Sequence, residues 1–158
     1  MTEAGRSATG AESQDEPEAR RGEAELLLRA ILDHLPITVA RYDREGVFTF
    51  QDGKGLELIG VKSGEFIGKN VLEIYGDHQE GVDDLRRGLA GEASQSVHEA
   101  LGIVFETWFI PVRDGRGEPD GLVCVTLDAS ASRQREIELQ NKLDMIERQQ
   151  KASRTSSI

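Results

Sequence analysis

An α+β domain with an antiparallel sheet is predicted by three features of the chain. β-rich runs follow one another without strict strand–helix alternation. Ile37–Tyr42 and Val47–Phe50 flank the turn Asp43-Arg44-Glu45-Gly46. Ile103–Val112 and Gly121–Leu127 flank a polar, glycine-rich turn, and the second passes directly into a polar helical segment. A sheet that feeds straight into a helix can pass strain to something outside the domain, which points to a regulatory module more than to an enzyme.

Residues 1–22 are rich in Glu, Ala, Ser, Gly and Arg without a hydrophobic period, and are expected to be a disordered leader. From Glu23, the positions Leu28, Ile31, Leu32 and Leu35 fall at helical spacing, and Pro36 ends the helix. That apolar stripe is wide enough to cover the sheet, a partner subunit or both. After the first hairpin, Asp52 is placed to cap a short helix Lys54–Ile59 closed by Gly60. Ser63 is placed to cap a turn through Phe66, and Asn70–Tyr75 forms another short helix. Asp77 then caps His78–Ala90, closed by Gly91, with Val82, Leu85 and Leu89 as its buried face. Ala93–Leu101 is a polar strand, followed by the two clear ones.

Composition narrows the function. The chain has 158 residues, 37% of them hydrophobic, which suits one domain with tails. A net charge of −10 without a basic stripe argues against nucleic acid and against anionic membrane surfaces. A single cysteine, Cys124, excludes an internal disulfide and fits a reducing, cytoplasmic setting. The N-terminus lacks the apolar region of a secretory signal, and no apolar run approaches the roughly 18 residues of a membrane span.

The order of elements, with the words they contain, resembles the PAS sensory domain over Glu23–Ser130. The resemblance is carried by Asp43-Arg44-Glu45-Gly46, by Ile67-Gly68-Lys69-Asn70-Val71-Leu72-Glu73-Ile74 and by Leu89-Ala90-Gly91-Glu92. It continues in Pro111-Val112-Arg113-Asp114-Gly115, Gly121-Leu122-Val123 and Asp128-Ala129-Ser130. Asp52 stands where Asn is usual and Ser130 replaces Thr; both keep a short capping oxygen. The resemblance implies a PAS fold: a five-stranded antiparallel sheet with short helices closing a pocket over one face, an N-terminal flanking helix and a C-terminal output helix. It also implies homodimerisation through the leading helix and the outer sheet face, and sensing of a small molecule, cofactor or partner. Residues 23–130 are therefore expected to be the PAS domain, 131–151 a helical signalling linker and 152–158 a disordered tail.

In the linker, Leu139, Leu143 and Ile146 have the 4-then-3 spacing of a heptad seam, with Gln150 next. A short amphipathic helix, a coiled coil and a frayed tail all fit that spacing. Leu139–Gln150, with its Glu-Arg-Gln-Gln word, also resembles the linker of PAS–STAS stress regulators, in which an anti-sigma-factor antagonist domain follows. An effector after residue 150, either a STAS domain or a kinase, is the expected downstream partner.

The expected ligand pocket comprises Val39, Arg41, Phe48, Phe50, Ile74, Val82, Leu85, Trp108, Val123 and Val125. Arg41 interrupts an apolar strand. Facing the pocket it would pair an anionic ligand; facing out it would meet solvent or Glu106. Asp128 and Ser130 form the expected signal hinge, and Leu28, Ile31, Leu35, Leu139, Leu143 and Ile146 the dimer and output surfaces.

Haem-binding relatives use a histidine on the longest helix, but His78 opens that helix at its first turn, where it faces solvent. His98 lies on the polar strand and His34 at a helix end, and none of the three has a metal-ligand spacing. Flavin adduct chemistry needs a cysteine on a short helix, whereas Cys124 is on a strand; Trp108 could stack a flavin or simply pack. The cofactor is left open. No nucleophile motif or phosphate-binding loop is present, so no catalytic residue is assigned. An isomerase-like reading fails because Tyr42 and Asp43 are adjacent and point to opposite faces. The competing non-enzymatic reading is an interaction scaffold with a packed core and no ligand.

Overall fold

The computed structural model describes residues 9–155, with side chains from residue 15 onward. Its elements are α1 (Thr9–His34), β1 (Ile37–Tyr42), β2 (Phe48–Asp52), a 3-10 turn (Lys54–Ile59), α2 (Val71–Ile74), α3 (Gln79–Leu89), β3 (Ser94–Ala100), β4 (Ile103–Arg113), β5 (Pro119–Asp128) and α4 (Ser130–Thr155). Five antiparallel strands lie in the order β2-β1-β5-β4-β3, the sheet expected from the sequence.

The short elements pack over one face, called inner here, and make the core. Ala40, Tyr42, Phe48, Val71, Leu85, Phe109, Leu122 and Cys124 are buried together. Tyr42 and Phe48 meet edge to face at 4.7 Å between ring centroids, a geometry favoured by the ring quadrupoles. Turn chemistry holds the first hairpin: Asp43 Oδ1 accepts the amides of Glu45 (2.9 Å) and Val47 (3.0 Å), and Gly46 supplies φ +88°. Gly121 at φ +117° lies where a Cβ would meet the Tyr42 carbonyl oxygen at 2.3 Å, so β5 can approach β1 only with glycine there.

Three local expectations are corrected. The disordered leader assigned to residues 1–22 is helical from Thr9 onward, and residues 1–8 lie outside the described residues. Ala, Glu, Gln and Arg are good helix formers, so a polar helix needs no hydrophobic period to exist. The tail expected to be disordered from residue 152 continues as helix to Thr155, whose hydroxyl donates back to the Lys151 and Ala152 carbonyls; residues 156–158 are outside the described residues. Neither Asp52 nor Asp77 caps a helix. Gly53 and His78 occupy those positions without a side-chain cap, whereas Asn70 does cap α2, accepting the Leu72 amide at 2.9 Å.

Candidate functional site

Strand register decides which side chains can line a site beneath the helices. In β1, Ala40 and Tyr42 point inward, and their partners Cys124, Leu122 and Phe48 are buried with them. Val39 pairs Val125, which pairs Trp108; Arg41 pairs Val123 and Phe50. Because successive residues alternate faces, Val39, Arg41, Phe50, Trp108, Val123 and Val125 all lie on the outer face. The expected pocket is therefore split. Phe48, Val82 and Leu85 are buried on the inner side and Ile74 packs against the core, while the other six face away from it. Arg41 is exposed, so it is not a pocket cation. The bulge in the β1–β2 pairing, between Arg41 and Tyr42, is the cause for Phe50: Phe48 and Gln51 both turn inward, leaving Phe50 outside.

The inner face has two halves. Toward Tyr42 and Leu122 it is aromatic and aliphatic. Toward the helix-bearing end, Thr38, Thr126, Thr107 and Ser96 occupy successive register positions across β1, β5, β4 and β3. The Thr107 and Thr126 hydroxyls are 3.1 Å apart, and the nearby Ser94 hydroxyl is buried without a hydrogen-bond partner. One row further, the His98 ring lies 5.6 Å from that of Phe105. This polar half was missed from the sequence, although the recurring Ser and Thr on four strands were its signal.

Burial controls the titratable groups of the core. It pushes the Cys124 thiol up to about 12 and the Tyr42 phenol well above its ordinary value, with Cys124 and Tyr75 adding to the latter. Neither is an ionised nucleophile or base near neutrality. Among the described residues, no three His, Cys, Asp or Glu side chains gather as a metal site requires. His78 is exposed just ahead of α3.

An open groove of about 420 Å³ lies outside the sheet core, where α1 meets the 3-10 turn; Leu32, Asp33, Asp52, Leu56, Lys62 and Ser63 help line it. Here Arg29 Nη2 meets Asp52 Oδ2 at 2.7 Å. The same carboxylate accepts the Gly53 amide (2.8 Å) and the Ser63 hydroxyl (3.0 Å). Burial alone would raise this carboxyl, but hydrogen bonds from Arg29, Gly53 and Ser63 outweigh it and hold Asp52 below the usual range. Leu32, one turn along from Arg29, is 1% exposed and fastens α1 to the body.

At the opposite terminus Asp128 and Ser130 make a defined joint. Asp128 Oδ1 accepts the Ser130 amide at 3.0 Å. Ser130 Oγ accepts the Val104 amide at 3.0 Å, and the Ala129 amide donates to the Val104 carbonyl at 2.7 Å. The Asp128 amide also reaches the Pro36 carbonyl at 3.2 Å, so α1 and α4 leave from the same end of the sheet. Leu28 and Ile31 on α1, Leu35 just after it, and Leu139, Leu143 and Ile146 on α4 are exposed. No described helix is long and apolar enough to cross a membrane.

An antiparallel five-stranded sheet, short helices on one face and a flanking helix at each end make up one α+β fold class. Residues 32–134 match the family described as PAS fold, and the chain belongs to that family. Solved structures share the fold at low identity. The PAS domain of BvgS from Bordetella pertussis is 20% identical, with 78% of this chain and 98% of that one covered and a TM-score of 0.52. The PAS domain of the histidine kinase ThkA is 17% identical, over 58% of this chain and 99% of that one, with a TM-score of 0.50. The sensor region of a sensor histidine kinase is 18% identical, over 61% and 40% of the two chains, with a TM-score of 0.51. No curated protein matches the chain. The family match and these structures establish the fold.

Proposed function

We propose that the chain is a cytoplasmic, non-catalytic sensor and dimerisation module that passes a ligand or partner signal through α4 to an effector. The observation that carries this reading is the joint at Ser130. The output helix is hydrogen-bonded to β4 at its base, while its Leu139–Leu143–Ile146 edge is exposed. A displacement of β4 or β5 thus tilts α4 at its root.

A second copy of the chain is the partner this reading assigns to the exposed edges. In a parallel two-stranded coil with Leu139 and Ile146 at d and Leu143 at a, Lys142 falls at g and Glu147 at the e position it meets on the other helix, an attractive pairing. The apolar outer face, with Val39, Val125, Trp108 and the half-exposed Ile110, and the leucines of α1 extend that contact. The sensor histidine kinases among the structural relatives support a kinase as effector; the Glu147-Arg148-Gln149-Gln150 word supports a STAS domain. The polar half of the inner face is where a small hydrogen-bonding ligand would register. One observation favours a ligand-free scaffold instead: the apolar half is a closed, packed core.

Native mass and a visible spectrum of freshly purified protein test the reading. A dimer that Leu143→Asp converts to monomer is expected, with added mass or colour if a ligand is retained. A wild-type monomer at micromolar concentration would overturn the dimer and the lever with it. A colourless apo dimer whose thermal midpoint no small hydrogen-bonding ligand raises would transfer the assignment to the scaffold.

A further inference from the structure

The two edges of the sheet differ. β2 is closed by its own chain: the Phe48 amide donates to the Lys69 carbonyl, and the Gly68 and Gly64 amides donate to Phe48 and Gln51. β3 is the terminal strand on the other side, and no loop among the described residues pairs with its outward backbone groups. Its pairing with β4 runs over Ser94–Ala100 without a bulge, and Ser-Gln-Ser-Val-His-Glu-Ala holds no proline or lysine. The devices that normally blunt an exposed edge are therefore reduced to one charge, Glu99.

The same edge carries the most exposed apolar side chains outside the two long helices. Leu101 is 81% exposed and Val97 61%. Leu101 also sits at φ +55°, followed by Gly102 at φ +74°, in the two-residue turn between β3 and β4. Such a turn is ordinarily made with Asn-Gly or Asp-Gly. A leucine held in the left-handed region and pointed at solvent is explained if another surface covers it.

We infer that the β3 edge is a docking edge for β3 of a second copy, in antiparallel register centred on Val97. Faces are preserved about a two-fold axis normal to the sheet, so only registers that place like-facing residues opposite one another are allowed. Centring on Val97 sets Val97 against its own copy, Gln95 against Glu99 and Ser96 against His98. Leu101 then meets Ala93 of the second copy. Ser94 falls opposite Ala100; the other pairs are apolar with apolar or donor with acceptor, and no like charges are opposed. Centring on Ser96 sets Val97 against Gln95 and Ala93 against Glu99; centring on His98 sets Val97 against Glu99. Both bury a mismatch. The edge is separate from the α1–α4 surfaces and does not rest on the dimer proposed there.

Val97→Cys provides the test, because Cys124 is buried and serves as an unreactive background. A short bismaleimide is expected to link Val97→Cys into covalent pairs at micromolar protein, while wild type stays unlinked. Val97→Lys opposes two ammonium groups at the axis and should weaken self-association at least tenfold in sedimentation, with an unchanged circular dichroism spectrum. Unlinked Val97→Cys, or association unaltered in folded Val97→Lys, would overturn the inference; if Val97→Lys does not fold, the cross-link decides. Pairs that persist in Leu143→Asp/Val97→Cys support the edge even if the helix dimer fails, and loss of the Val97→Cys link alone leaves the helix dimer standing.

Discussion

Ser130 Oγ accepts the amide of Val104, 26 positions earlier, at 3.0 Å. One hydroxyl thus ties the first residue of α4 to the second residue of β4. Removing it leaves a half-buried amide without its acceptor, a loss of about 1–3 kcal/mol. Ser130→Ala should lower the urea midpoint accordingly and speed amide exchange at Val104 more than at core positions such as Leu122. Ser130→Thr retains the oxygen and should restore both. Equal exchange at Val104 in Ser130→Ala and wild type would show that the joint is not held by this bond.

Asp52 plays the corresponding part for α1. Its carboxyl is held below the ordinary range because hydrogen bonds from Arg29, Gly53 and Ser63 outweigh the opposing effect of burial. A depressed folded-state pKa contributes stability above the unfolded value of about 3.9. That contribution is lost as pH falls through the still lower folded value. Wild type should therefore exceed Asp52→Asn in stability at pH 6–7, and the gap should narrow progressively as pH falls below about 4. A gap that does not narrow between pH 6 and pH 3 in urea titrations would refute the assignment.

Leu32 is the apolar half of that attachment, at 1% exposure the only described residue of α1 that is buried. Leu32→Ala should cost about 2–5 kcal/mol if the site cannot collapse, and less if α1 simply detaches. Amide exchange separates the two. Detachment raises exchange over residues 24–34 and leaves β5 protected, whereas a global loss raises both.

The sheet was legible in the sequence because its runs of Ile, Val, Phe and Tyr are bounded by turns, and β1 was placed to the residue. The facing of its side chains was not. Ile37-Thr38-Val39-Ala40-Arg41-Tyr42 has apolar residues at both parities, since the outer face is apolar as well, and alternation then carries no sign. The bulge in the β1–β2 pairing compounded this, because no sequence feature marks it and it moves Phe50 outward while Phe48 stays in. Asp128 and Ser130 were marked by their resemblance to the family's strand-to-helix word, and both carry a short oxygen that accepts a backbone amide. The polar segment of α1 from Thr9 was not, since an exposed helix needs neither amphipathicity nor partners to satisfy its backbone.

Cys124 tests the closure of the core directly. Its thiol is pushed up to about 12 by burial, which outweighs the opposing hydrogen bond with Tyr42. At pH 8 only about one thiol in ten thousand would be ionised even with access to reagent. Ellman's reagent should therefore label the folded protein no faster than the protein opens, and stoichiometrically in denaturant. Full labelling within minutes under native conditions would mean that the inner face opens locally.

Gly88 sets two opposing effects against each other. It lies within α3, where alanine is worth up to about 1 kcal/mol over glycine in helix propensity. A Cβ there would meet the Leu122 methyls at 2.7 and 2.9 Å. Side-chain ends often yield to such a contact, but Leu122 has 0% exposure and is packed among Tyr42, Phe109 and Leu85, so it has little room to move. Overpacking of this kind costs about 1–3 kcal/mol and outweighs the propensity gain. Gly88→Ala should thus destabilise the domain by up to about 2 kcal/mol in urea denaturation. Gly81→Ala, on the same helix but with only the His78 Cβ at 4.0 Å, should be neutral or stabilising. If both substitutions stabilise to the same extent, α3 does not bear on Leu122 as closely as these distances require.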